Sequence, residues 1–230
     1  MGLRRLATTC AVALVALAVS ADSIPAADPP PFKATSHRRF DDVEHWTKVF
    51  DDPSRDQWQR PQAVVEALAL RPGMTVADLG AGTGYFSRHL AAAVGPNGTV
   101  LAIETEPNLV VHLRERAEKE STANVVPVLA SRDNPRLPWG VVQVLLIVDT
   151  FHHIDDRRAY FERLTPVLAR EARIAVIDWK KTELPVGPDI DHKLARAQVV
   201  DEMKAAGFHL VDEPRALPYQ YFLIFSSREP

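Results

Sequence analysis

Cysteine is all but missing from this 230-residue chain: the only one, Cys10, lies near the amino terminus. Beyond that point the chain can form no disulfide and offers no thiol nucleophile. A basic excess is missing too, with 27 Lys and Arg against 30 Asp and Glu and a formal net charge of −3. With no lysine or arginine stripe, the composition argues against a nucleic-acid partner. No methionine stands between Met1 and Met74, so a shorter product carrying the whole domain would need a non-methionine start. There is no internal repeat. Long apolar runs are absent except for one, Leu6 to Val19, and that one is short of the ~20 residues a spanning helix needs.

Arg4 and Arg5 precede this run, and the small residues Ser20 and Ala21 follow it ahead of Asp22. Charged, apolar and small-residue regions in that order predict a secretory signal peptide over residues 1–21, cleaved after Ala21, with Ala26 or Ala27 as alternative points. The expected protein is periplasmic or secreted, with no stable membrane span after cleavage. Even with the leader retained as an anchor, the positive-inside rule places everything after residue 21 outside the cytoplasmic membrane. Losing Arg4 and Arg5 takes the formal charge from −3 to −5. Pro25, Pro29, Pro30 and Pro31 predict a disordered spacer over residues 22–36. Residues 37–230 have the length of one α/β domain with a substantial core.

Val76-Ala-Asp-Leu-Gly-Ala-Gly-Thr-Gly84 carries the most functional information in that domain. Val76, Ala77 and Leu79 suit a buried parallel strand, while Gly80, Gly82 and Gly84 allow a sharp turn and a close backbone approach to a ligand. Phe86, Leu90 and Val94 then recur at four-residue spacing, so the turn opens a helix whose first amides can meet that ligand. A dinucleotide fingerprint runs G-x-G-x-x-G. Here the third glycine comes one residue early, which disfavours a nicotinamide oxidoreductase. A second apolar run, Thr99 to Ile103, ends at Glu104, where a carboxylate at a strand tip can accept both hydroxyls of a ribose.

Asp78-x-Gly80-x-Gly82-x-Gly84 followed by Tyr85-Phe86 resembles the first motif of the class I S-adenosylmethionine-dependent methyltransferases. The resemblance covers residues 60–180 and implies an α/β fold, a doubly wound, mostly parallel, seven-stranded Rossmann-like sheet with helices on both faces and an antiparallel last strand. It implies S-adenosylmethionine as cofactor, held by Asp78, Gly80, Gly82, Gly84, Tyr85, Glu104, Asp133, Asn134 and Asp149. Within that set Asp78 and Asp149 would meet the methionine ammonium, Glu104 the ribose and Asp133 the adenine amine, although Ser131-Arg-Asp-Asn134 also reads as a turn. Two positions depart from the family: Gln143 stands where Asp is frequent, and Arg170-Glu171 replaces a glycine-rich turn. The missing cysteines argue against arsenite methylation, which the related arsenic methyltransferases perform with thiols.

Val125–Leu129, Val141–Val148, Arg173–Ile177, His209–Asp212 and Tyr221–Phe225 read as further strands. Asn108–Glu120, Asp155–Leu168 (broken at Pro166) and Leu194–Ala206 read as helices. Asp149 and His153 are the candidate catalytic groups. The adjacent His152 and His153 should not both face the cleft, and a helix-entry role competes with general-base chemistry for each. A metal site from Asp149, His153 and Asp178, of the kind found in catechol-type methyltransferases, is disfavoured, because Trp179 follows Asp178 where that family supplies a second oxygen ligand. Phe40, Trp46, Phe50 and Trp58 make residues 37–60 a candidate lid over the site. The expected activity is methyl transfer to a small-molecule acceptor, the alternative a non-catalytic exported protein that binds S-adenosylmethionine or a nucleoside.

Overall fold

A computed structural model describes residues 34–35 and 39–227. The expected leader and most of the expected spacer lie outside the described residues. Seven strands, β1 (Thr75–Leu79), β2 (Thr99–Glu104), β3 (Val125–Leu129), β4 (Val144–Val148), β5 (Arg173–Trp179), β6 (His209–Asp212) and β7 (Gln220–Ser226), form one sheet in the order 3-2-1-4-5-7-6. All neighbours are parallel except β7, which runs antiparallel to β5 and β6.

Helices α3 (Pro61–Leu68) and α4 (Tyr85–Val94) cover one face, and α6 (Arg157–Leu164) and α7 (Arg196–Ala205) the other. Helix α5 (Pro107–Lys119) packs on β2 and β3. Strand β4 shows why the sequence demands two layers. Val144, Leu146 and Val148 enter the core on the α4 side, Leu145 and Ile147 the core on the α6 side, and all five are buried. A strand with no polar face has to be central. The chain runs outward from β1 through β2 to β3 and then returns to β4 on the other side of β1, so a crevice opens at the carboxyl ends of β1 and β4.

Several boundaries differ from those read in the sequence. The fourth strand starts at Val144 rather than Val141, because Gln143 closes the ladder: its Oε1 accepts the Thr75 amide at 2.9 Å, and its own amide donates to the Thr75 carbonyl at 2.9 Å. The family-atypical Gln143 thus serves as a strand cap. Helix α6 starts at Arg157, with Asp156 at the N-cap, and stops at Leu164, two residues before Pro166. Arg157 and Glu202, each 1 % exposed at the side chain, form a buried ion pair joining α6 to α7, and Arg157 also donates to the Ile154 carbonyl at 3.0 Å. At the amino-terminal edge, the Thr35 amide donates to the His152 carbonyl at 2.9 Å and its hydroxyl to the His192 carbonyl at 2.7 Å. Thr35, within the stretch read as spacer, is thus hydrogen-bonded to the domain. Among the described residues no helix is long and apolar enough to cross a membrane.

Candidate active site

The crevice is a cavity of about 1030 Å³. Its floor is the turn after β1. Gly80 (φ +75°) lies so close to Thr150 that a Cβ would sit 2.3 Å from the threonine Oγ1, and the Gly80 and Ala81 amides donate to the Ile103 carbonyl at 2.9 and 3.0 Å. Any side chain at Gly80 would push the β1 and β4 tips apart. Gly82 (φ +57°) has a Phe50 ring carbon 3.3 Å from its would-be Cβ, so α1 (Val43–Phe50) reaches down onto the glycine turn.

Three carboxylates stand at the strand tips. Asp78, on β1, points to the α4 side and accepts the Ser87 hydroxyl at 2.7 Å. Burial raises its pKa to about 6, against the Ser87 hydrogen bond and the Arg55 charge. Glu104, ending β2, accepts the amides of Gly82 (2.9 Å), Thr105 (2.6 Å) and Glu106 (3.1 Å), so it braces the glycine turn from the neighbouring strand. Asp149, just past β4, holds a left-handed backbone (φ +52°), and its carboxylate accepts Gln220 Nε2 at 2.5 Å. Burial and the nearby Asp178 charge push Asp149 up to about 7, while Arg55, His152 and the Gln220 hydrogen bond pull it down.

His152 and His153 both line the cavity, with ring centroids 4.2 Å apart. Phe151–His153 is a single 3₁₀ turn, and both rings reach the cavity from it, where only one was expected to face the cleft. Their surroundings still differ. His152 Nδ1 lies 2.9 Å from both carboxylate oxygens of the fully buried Asp178. Burial disfavours its charge, but the charge and hydrogen bond of Asp178 outweigh burial and its pKa is raised. His153 is half-buried and meets the edge of Phe40 at 5.6 Å. Asp178 is committed to His152 and to the Trp179 amide, and no cluster of three His, Cys, Asp or Glu able to hold a metal occurs among the described residues.

Helices α1 and α2 (Arg55–Gln59) wall the cavity opposite the strand tips. Phe40, Trp46 and Phe50 form one ring cluster, and Trp58 packs on Trp179 at 5.2 Å. Two aspartates clasp this wall to the glycine turn. Asp51 accepts the Thr83 hydroxyl at 3.1 Å and pairs with Arg116 at 2.7 Å; Asp56 accepts the Tyr85 hydroxyl at 2.5 Å. Arg55 lies over the Tyr85 ring, 4.1 Å from its centroid.

The structure therefore gathers Asp78, Gly80, Gly82, Tyr85, Glu104, Asp149 and His153 around one cavity. Gly84 sits just behind, as the N-cap of α4. Asp133 and Asn134 lie elsewhere: both are exposed, Asp133 accepting the Ser131 hydroxyl at 2.7 Å and Asn134 the Arg136 amide at 2.8 Å. Their side chains close the turn locally, and Ala130, Ser131 and Arg132 line the cavity in their place. Gln59 and Gln220, which reach Asp149 through hydrogen bonds, carry no site signal in the sequence, since only the tertiary fold brings their widely separated positions together.

The cavity suits an adenosyl sulfonium amino acid: a carboxylate at a strand tip for a ribose, acidic groups for an ammonium, and a glycine turn whose backbone lines the floor. Residues 76–171 match the family described as a methyltransferase domain. An arsenite methyltransferase of Halobacterium salinarum is 29 % identical over 154 residues, covering 63 % of this chain and 39 % of that protein. The ubiquinone/menaquinone biosynthesis C-methyltransferase UbiE of Ectopseudomonas mendocina is 26 % identical over 130 residues, covering 56 % and 50 %. The chain thus spans between two fifths and half of the length of these curated relatives. Among solved structures, a SAM dependent methyltransferase from Aquifex aeolicus aligns with a TM-score of 0.77 at 28 % identity, over 81 % of this chain and 99 % of that one. The chain has the Rossmann-like methyltransferase fold, and its domain match and this solved neighbour are those of S-adenosylmethionine-dependent methyltransferases. S-adenosylmethionine is its cofactor.

Proposed function

We propose that the chain transfers a methyl group from S-adenosylmethionine to a small-molecule acceptor, outside the cytoplasm. The observation that carries this reading is the convergence of Asp78, Glu104 and Asp149 at three neighbouring strand tips around the glycine turn. The cofactor brings an already activated methyl group, so the protein has chiefly to align two reactants and exclude water. In this reading Glu104 holds the ribose, Asp78 and Asp149 the ammonium, and the ring-rich wall from α1 and α2 covers the acceptor. At about 1030 Å³ the cavity is at the upper end of single-ligand pockets, which fits two reactants side by side. His153, on the open side of the His pair, is the group placed to take a proton from an acceptor that must lose one. The export component rests on Arg4, Arg5 and the Leu6 to Val19 run.

Titration calorimetry with S-adenosylmethionine, S-adenosylhomocysteine and NAD tests the reading. Saturable binding of the first two and none of NAD is expected; NAD binding, or no binding of either sulfur ligand, would overturn it.

A further inference from the structure

Arg55, Gln59, Gln220 and Asp149 form a hydrogen-bond chain from α2 to the tip of β4. Arg55 Nε donates to Gln59 Oε1 at 3.3 Å, Gln59 Nε2 to Gln220 Oε1 at 2.8 Å, and Gln220 Nε2 to Asp149 Oδ1 at 2.5 Å. The direction of every link is dictated by its ends. A guanidinium can only donate and an ionised carboxylate can only accept, so both amides between them must point the same way. While Asp149 is ionised, neither amide has another arrangement that satisfies all three bonds.

We infer that Gln220 and Gln59 are positioning residues, which lock the Asp149 carboxylate in one orientation at the cavity wall through this one-way chain. Gln59 and Gln220 are 0 % and 2 % exposed. Burying two flexible amides is costly where an apolar pair would serve for packing alone. They also come from unrelated elements: Gln59 ends α2, and Gln220 opens β7 opposite Trp179 of β5. The Asp149 backbone is pinned as well, its amide donating to the Ile177 carbonyl at 2.9 Å. With the main chain and Oδ1 both held, Oδ2 is left in a defined place for a cationic partner.

The groups acting on this carboxylate are Asp178 from β5, which repels it, and Arg55 from α2, His152 from the 3₁₀ turn and the Gln220 amide, which favour its charge. Tyr221 of β7 is held protonated nearby, by burial first and then by the surrounding carboxylates. Removing the Gln220 donor leaves burial and Asp178 less opposed. Asp149 then keeps its proton to higher pH.

The functional consequence rests on the reading that Asp149 receives the cofactor's ammonium, so two measurements on the full chain separate the claims. The first is the Asp149 carboxyl titration by carbon-13 NMR without ligand, in wild type, Gln220→Leu and Gln59→Leu. Both variants should titrate at higher pH than wild type, Gln220→Leu by more. The second is S-adenosylhomocysteine affinity from pH 6 to 8.5. Gln220→Leu should bind about ten- to a hundredfold more weakly near pH 7, the range for a lost bond to a charged group, and its affinity should rise with pH later than that of wild type. An unchanged titration in both variants would overturn the positioning role. A shifted titration without change in affinity would confine the role to Asp149 and remove Asp149 from the cofactor site. If Gln220→Leu does not fold, Gln59→Leu decides, because Gln59 lies on a short helix outside the sheet.

Discussion

Glu104→Gln is the most informative single substitution at the strand tips, since it keeps size and shape and removes only charge and one acceptor. The Glu104 carboxylate is 7 % exposed and serves three amides, Thr105 and Glu106 on Oε1 and Gly82 on Oε2. A carboxamide has one oxygen. It will turn that oxygen to the pair of amides, which places its NH2 against the Gly82 N–H and leaves that donor without a partner. Loss of a hydrogen bond to a charged group costs about 1.5–3 kcal/mol, and a stranded buried donor a similar amount. Because the two costs overlap on one contact, a destabilisation of roughly 2–3 kcal/mol is expected in urea unfolding. Binding suffers as well, since the glycine turn loses its brace and the ribose loses an anionic acceptor. Calorimetry should show S-adenosylhomocysteine affinity falling by about 2 kcal/mol, roughly thirtyfold. A folded Glu104→Gln protein with wild-type stability and affinity would refute both the bracing and the ribose role.

Acidity should act on stability and binding in opposite directions. Asp78 and Asp149 titrate near 6 and 7 in the fold against an ordinary 3.8, and His152 is also raised. The native state therefore holds more protons than the unfolded chain from about pH 4 to about pH 7, and ligand-free stability should rise as pH falls through that window. Lowered by burial, His89 works the other way. Urea midpoints at pH 8 and pH 5 check the sign, and a lower midpoint at pH 5 would contradict it; S-adenosylhomocysteine affinity should meanwhile weaken on acidification. Glu202→Ala should cost about 3–5 kcal/mol by stranding the buried Arg157 charge, and a loss below 1 kcal/mol in urea unfolding would show that water reaches the site. Hydrogen exchange across residues 40–60 should slow when S-adenosylhomocysteine is added, and Trp58→Ala should impair turnover more than stability; identical exchange with full Trp58→Ala activity would make the wall ordinary packing. Expressed from its own start in a bacterium, the chain should lose its first ~21 to 27 residues by intact mass, and a soluble cytosolic product retaining Leu6 to Val19 would end the export proposal.

What could be read from the sequence, and what could not, follows the range of the interactions. The glycine turn, the apolar strands and the acidic tip at Glu104 are local: strand burial and positive-φ geometry leave their mark on adjacent residues. Asp133 and Asn134 carry an ambiguous local signal, because Ser131-Arg-Asp-Asn134 also satisfies its own polar groups as a turn. Gln59 and Gln220 leave no such mark. They stand 161 positions apart and meet only because β7 inserts between β5 and β6. Asp51 and Asp56 stand in a highly charged segment, and only their contacts with Thr83 and Tyr85 reveal the clasp.

A crystal structure of the chain with S-adenosylhomocysteine tests the central claim most directly. The ribose hydroxyls should lie within hydrogen-bond distance of Glu104, and the ammonium should face Asp78 and Asp149 with the sulfur directed toward His153 and the aromatic wall. A ligand bound away from the β1, β2 and β4 tips, or a ribose that does not touch Glu104, would contradict it.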